Sequence, residues 1–199
     1  MSVPPAYRPL ILASRSPRRR QLLADAGYRF QVIPPDDAAE CGICSRETPP
    51  ELAARLAWQK AACVARGLDH GLILGCDTLV ECRGQILGKP TGEQHARWML
   101  RLLRGTDHHV YSGLCLWLRP GDEHQVCVDV TRLRMEPIPD GQIEEYLASG
   151  QWQDKAGAFG YQDRLGWLHI LEGSASNVVG LPLELLSQML AAMPAPPGH

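Results

Sequence analysis

Asp77 interrupts an otherwise apolar run, Leu72-Ile-Leu-Gly-Cys-Asp77-Thr-Leu-Val80. A carboxylate in such a place must be paired, hydrogen-bonded or bound to a metal. Partly buried acids of this kind act as general bases or as oxygen ligands for hard cations. The basic residues carry a second signal, because seventeen of the twenty are arginine and the other three are Lys60, Lys89 and Lys155. Where arginine supplies ordinary surface charge, lysine is retained at positions that need a compact ammonium against a phosphate oxygen or a carboxylate. On a helical wheel Lys60 leans toward the buried side that holds Leu56 and Cys63. Lys89 follows Gly88 directly after an apolar stretch, and Lys155 sits in Asp154-Lys155-Ala-Gly157.

A third cluster lies near the N-terminus, where Ser16-Pro17-Arg18-Arg19-Arg20 follows the apolar run Leu10-Ile-Leu-Ala13. Ser16 reads as an N-cap, Pro17 as the first helical residue and Gly27 as the stop. A helix N-terminus already carries about half a positive charge, so each guanidinium there costs roughly 0.3–1 kcal/mol without a counter-charge. Phosphate is the natural counter-charge. With Glu40 from the acidic stretch Asp36-Asp-Ala-Ala-Glu40, Asp77 has the oxygen chemistry to bring Mg²⁺ or Mn²⁺ to a polyphosphate. The sequence holds no GxxxxGK[ST], which excludes a P-loop enzyme.

The elements that must position these residues alternate between strand and helix. Strands are expected at 9–13, 29–33, 72–80 and 85–87, the last two joined as a hairpin at Arg83-Gly84, and again near 109–118, 125–134 and 167–171. Thr48 with Glu51 forms a capping box for one helix, Thr91 with Gln94 for another, Asp140 caps a third, and Leu181 to Met193 closes the chain as a helix. This predicts an α/β fold with a mixed twisted sheet flanked by helices, as a single domain over 1–199 with a disordered tail at 194–199. The formal net charge of −2 argues against nucleic-acid or anionic-membrane binding through bulk electrostatics. No secretory h-region or bilayer-length apolar run is present, and the seven cysteines, with Cys63, Cys76, Cys115 and Cys127 in apolar patterns, suit a reducing, cytoplasmic compartment. Cys41-Gly-Ile-Cys44 stands alone, without the second ligand pair that a zinc site needs.

Seven ordered blocks resemble the Maf family of nucleoside triphosphate pyrophosphatases, relatives in fold of the inosine triphosphatases. They are Leu12-Ala-Ser14-Arg-Ser-Pro-Arg-Arg19, Arg55-Leu-Ala-Trp-Gln-Lys60-Ala, Gly75-Cys-Asp77-Thr78, Ile86-Leu-Gly-Lys89-Pro, His108-His-Val-Tyr-Ser-Gly113, Asp154-Lys155-Ala-Gly-Ala-Phe-Gly-Tyr-Gln162 and Ser176-Asn-Val-Val-Gly-Leu-Pro182. The resemblance implies a cleft between two lobes, with Asp77 as proton acceptor and Ser14, Arg18, Lys60 and Lys89 as triphosphate contacts. Lys155 joins these as a substrate contact on the lysine argument. The resemblance further implies a divalent metal, Mg²⁺ or Mn²⁺, on Glu40 and Asp77, base selection by Arg19, Thr78 and Gln162, and a homodimer. The Asp154 block is of the type that prefers dTTP and UTP, hydrolysed to monophosphate and pyrophosphate. Asp163 stands where that subfamily has glycine, and a carboxylate beside Gln162 is the feature that would favour a cationic purine, as in the 7-methyl-GTP pyrophosphatases. A non-enzymatic regulator of cell division is the rival of another class.

Overall fold

The runs Leu10–Ala13 and Leu72–Leu74 are apolar without alternation because helices cover both faces of the strands they form. The computed structural model describes residues 9–36, 47–163 and 165–193. In chain order the elements are β1 (Leu10–Ala13), α1 (Pro17–Asp25), β2 (Phe30–Val32), α2 (Pro49–Ala65), β3 (Gly71–Cys82), β4 (Gln85–Leu87), α3 (Glu93–Leu103), β5 (Asp107–Arg119), β6 (His124–Met135), α4 (Asp140–Ala148), β7 (Leu168–Glu172), α5 (Ala175–Val179) and α6 (Leu183–Ala192). Two 3₁₀ turns, Ala156–Ala158 and Tyr161–Asp163, lie between α4 and β7. The sheet is mixed, in the order β2-β1-β3-β5-β6-β7 with β4 on β3. β1 runs parallel to β2 and β3, whereas β4 on β3 and β7 on β6 are antiparallel. The α/β class and the mixed sheet flanked by helices agree with the pattern read from sequence.

The chain forms two compact units. The first holds the described residues up to Asp77, Ser112–Asp129 and the described residues from Gly180 onward; the second holds Thr78–Tyr111 and Val130–Val179. In the first unit Leu10, Leu12, Leu72 and Leu74 pack with Leu23 of α1 and with Leu186 and Met189 of α6. On the opposite face Ile11, Ala13 and Ile73 meet α2 through Ala57 and Ala61. This second contact is unusually close. A Cβ added to Gly75 would lie 2.2 Å from the Ala57 carbonyl oxygen, and one added to Gly113 would lie 2.1 Å from the Ala53 carbonyl oxygen. Ala53, Ala57 and Ala61 repeat every four residues, so α2 presents a narrow row of methyls to a glycine-lined strip of sheet. The second unit has its own core, where Met99, Leu100 and Leu103 of α3 and Ile143 and Leu147 of α4 pack with Val80, Leu133 and Trp167.

Helix ends explain most of the agreement with sequence and most of the differences. The Ser16 hydroxyl accepts from the Arg19 N–H, and the Thr48 N–H donates to the Glu51 carboxylate at 2.8 Å, as the capping patterns predict. The Thr91–Gln94 box does not form: α3 starts after Gly92, and the Thr91 backbone N–H instead donates to His95 Nδ1 at 3.3 Å. Asp140 is the first residue of α4 with Pro139 as its cap, because the Asp140 carboxylate is engaged by Arg104 at 2.6 Å. The short α5, between Gly173 and Gly180, has the composition of a loop and was not expected. The 194–199 tail, Glu40 and the Cys41–Cys44 pair lie outside the described residues.

Gly75→Ala is expected to destabilise the protein by about 3 kcal/mol or more, since the new methyl meets helix backbone that cannot rotate away. For a chain of this size that is a fall in Tm of about 6–12 °C. Gly84→Ala, in open space at a hairpin turn with φ +77°, is expected to cost about 1 kcal/mol from backbone strain alone. Equal Tm losses in the two variants would contradict the close-approach account.

Candidate active site

The glycine strip sets where the charged residues meet. Residues two apart share a face of a strand, so Asp77 points to the same side as Gly75, toward α2. With Ala57 and Ala61 seated over Gly75, Lys60 is brought down onto Asp77, and its Nζ donates to Asp77 Oδ1 at 2.5 Å. The two side chains are 8% and 16% exposed. A carboxylate has acceptor sites for about four hydrogen bonds, so one ammonium leaves it able to accept a hydrogen bond from water as well. The structure thus pairs the two residues that the apolar strand and the scarcity of lysine single out.

The strand register places a second pair beside the first. Ala13 is the cross-strand partner of Gly75, so Ser14 lies just past the end of β1 and Asp77 two residues past the pair on β3. The buried Ser14 hydroxyl accepts from Arg19 Nη1 at 3.3 Å and from the Ser16 N–H at 3.2 Å. Arg19 Nε donates to the Gly180 carbonyl at 2.8 Å, which turns this guanidinium inward while Arg20 stays exposed and Arg18 is half-buried. α1 has no acid in its first turn to offset its arginines. Positive charge, a hydroxyl and a helix N-terminus therefore gather at the carboxyl ends of parallel strands, where ligands of α/β sheets bind.

The remaining expected residues belong to the second unit. Thr78 is half-buried and, as the neighbour of Asp77, faces the other side of β3. Lys89 is 67% exposed and lies 3.4 Å from Asp154. Just before it, the Gly88 carbonyl accepts from the Gly157 N–H at 3.1 Å, which ties the Asp154–Gly157 segment to the end of β4. Gln162 is exposed on the Tyr161–Asp163 turn. Lys155 is buried and donates to both oxygens of Asp163, at 2.5 and 2.6 Å. Asp163 is thus fully engaged within the protein, and the feature that would have favoured a cationic base is spent on an internal ion pair.

A hard divalent cation suits the oxygen chemistry of Asp77. Among the described residues no three His, Cys, Asp or Glu side chains gather to hold a metal, so the set expected on Asp77 and Glu40 turns on a residue outside them. Cys115 and Cys76 are structural: burial pushes the Cys115 thiol up to about 12, and Cys76 donates to the Gly180 carbonyl at 3.2 Å. Cys63 and Cys127 are half-buried, less covered than their apolar neighbours suggest. Among the described residues no helix is long and apolar enough to cross a membrane. Two participants went unread in sequence. The Gly180 carbonyl is a backbone group with no side-chain signal, whereas Gly75, two residues before an acid in an apolar strand, was a legible mark of close backbone approach.

The fold and this site define an α/β protein with a lysine–aspartate pair, a buried hydroxyl and an inward-turned arginine near the carboxyl end of β1. Residues 9–193 match the family described as Maf-like protein, and the chain belongs to that family. It is 56% identical over 182 residues to a dTTP/UTP pyrophosphatase of Rhodopirellula baltica, covering 91% of this chain and 80% of that one. To a dTTP/UTP pyrophosphatase of Pelotomaculum thermopropionicum it is 40% identical over 184 residues, covering 91% and 94%. The solved structure of the Staphylococcus aureus Ham1 protein aligns with a TM-score of 0.47 at 13% identity, over 92% of this chain and 97% of that one.

Asp77→Asn is expected to lower turnover by at least about 10²-fold, because an amide cannot take the proton. It is also expected to cost about 3–5 kcal/mol of stability, since the buried Lys60 ammonium loses the negative charge of the Asp77 carboxylate. Replacing both, Lys60→Met with Asp77→Leu, should return most of that stability and none of the turnover. Thermal melts and rates on the two variants separate the pair's chemical role from its packing role; recovery of turnover in the double variant would contradict it.

Proposed function

We propose that this protein is a nucleoside triphosphate pyrophosphatase that hydrolyses dTTP and UTP to the monophosphate and pyrophosphate. The observation that carries this reading is the part-buried Lys60–Asp77 pair beside the Ser14–Arg19 pair, in a chain 56% identical to a dTTP/UTP pyrophosphatase. In it, Asp77 orients a water and takes its proton as the water attacks the α-phosphorus, and Lys60 holds the carboxylate in place. Arg18, Lys89 and the α1 N-terminus answer the negative charge on the leaving pyrophosphate, and Ser14 and Arg19 line the anion-binding end of the strands. Positioning and charge supply most of the rate, as in phosphoryl transfer generally.

The cofactor in this reading is Mg²⁺ or Mn²⁺, held by Asp77 with Glu40; when bound, it neutralises phosphate charge. The Gln162 amide donates to one ring carbonyl of thymine or uracil and accepts from the ring N–H, a pattern that the cytosine edge does not offer. The substrate is a free nucleotide rather than a nucleic acid. Residence in the cytoplasm, as a homodimer, completes the proposal, and the free thiols of Cys63, Cys76, Cys82, Cys115 and Cys127 are compatible with a reducing compartment.

Pyrophosphate release measured across dTTP, UTP, CTP, dATP, GTP and 7-methyl-GTP tests the reading. dTTP and UTP are expected to lead the others by about tenfold or more in kcat/KM. A chelator should abolish release, and Mg²⁺ or Mn²⁺ should restore it. A lead for 7-methyl-GTP, or full activity in the chelator, would overturn the substrate or the metal assignment respectively.

A further inference from the structure

The most concentrated polar network of the second unit lies next to Gln162 and has no part in the chemistry described above. Asp163, whose side chain is 7% exposed, takes both oxygens to the Lys155 ammonium at 2.5 and 2.6 Å. Its Oδ2 also accepts from the Tyr146 hydroxyl at 2.7 Å and from the Gly160 N–H at 3.1 Å. The Asp163 N–H donates to the Gly160 carbonyl at 3.0 Å, which closes the turn from both ends. Gly160 makes room for this arrangement, since a Cβ there would sit 3.1 Å from Lys155 Cδ, Cε and Nζ. The Tyr146 ring is itself fixed between Phe159 and Trp167, at centroid distances of 5.2 and 5.4 Å.

Within this turn Gln162 directly precedes the anchored Asp163 and is exposed. The backbone leading to it is strained, with Asp154 at φ +59° and Ala158 at φ +62°, two non-glycine residues in the left-handed region within five positions. Such strain persists only where surrounding contacts over-determine the chain, and the Lys155–Asp163 pair is the strongest of those contacts. A buried pair of this type adds little net stability over an apolar filling, whereas it does specify a single geometry.

We propose that Asp163, through Lys155, Tyr146 and Gly160, is a positioning residue that fixes the Gln162 amide for base selection, and that Lys155 serves this clamp rather than the phosphates. The inference rests on the reading of Gln162 as the base contact. Two buried charges are thus assigned to specificity: the turn holds still, and the amide presents its donor and acceptor in one orientation. A two-bond pattern discriminates between bases only when its direction is fixed, because a turning amide offers donor or acceptor to any ring edge.

The test compares kcat and KM for dTTP and CTP in the wild type, Gln162→Ala, Asp163→Asn, Lys155→Met and Tyr146→Phe. Asp163→Asn is expected to reduce the dTTP-over-CTP ratio of kcat/KM by about tenfold, mainly through a higher KM for dTTP. Tyr146→Phe, which keeps the ring and removes one hydrogen bond, should reduce it by about threefold, so the answer does not depend on Asp163→Asn folding. Lys155→Met should follow Asp163→Asn. If Gln162→Ala leaves the ratio unchanged, the base-contact reading itself fails. If Gln162→Ala lowers the ratio while Asp163→Asn and Tyr146→Phe leave it at the wild-type value, the clamp is wrong. A Lys155→Met enzyme that loses kcat with its base preference intact would return Lys155 to the phosphates and overturn the assignment.

Discussion

The closeness of α2 to the sheet is the constraint on which the candidate site depends. Helix backbone can touch strand backbone only where both surfaces lack side chains, and here Gly75 and Gly113 meet the Ala53-Ala57-Ala61 row. Any larger residue at these positions would lift the helix, and a lysine stem has a limited reach. Because Lys60 is three residues beyond Ala57 and Asp77 two beyond Gly75, the same contact that packs the core sets the Lys–Asp separation at 2.5 Å. The first unit is thus stabilised by apolar burial on both faces of β1 and β3, and its chemistry is placed by the one strip where burial uses almost no side-chain volume.

Two of the three lysine–aspartate pairs among the described residues show how one interaction type serves different ends. Lys60 and Asp77 lie near the carboxyl end of β1, beside a hydroxyl and an inward-turned guanidinium, with acceptor capacity on the carboxylate left over for water. Lys155 and Asp163 satisfy one another together with a tyrosine hydroxyl and a backbone N–H. A pair that keeps spare capacity next to a ligand-binding strand end is suited to proton transfer, and one that is internally complete is suited to holding a turn.

How much of this was legible in the sequence depends on the range of the interaction involved. The order of strands and helices follows from local periodicity and caps, so β1, α1, α2 and the β3–β4 hairpin emerge at nearly their observed bounds. Where another partner competed the capping rule lost: the Asp140 carboxylate went to Arg104, 36 residues away, and the Thr91 N–H to His95, four residues on. The acid in the apolar strand and the rare lysines marked Asp77 and Lys60 individually, and the helical wheel gave the direction of Lys60. Their contact is a tertiary fact set by Gly75. Asp163 was misleading for the same reason, since its neighbour in sequence is Gln162 but its partners in space are Lys155 and Tyr146. Glycine carbonyls such as that of Gly180 leave no mark in a sequence at all.

The central claim is that water attacks the α-phosphorus. Hydrolysis of dTTP in ¹⁸O-enriched water, followed by mass spectrometry of both products, tests it most directly. Attack at the α-phosphorus places the label in the thymidine monophosphate and leaves the pyrophosphate unlabelled. Label in the pyrophosphate, or release of orthophosphate in place of pyrophosphate, would contradict the account.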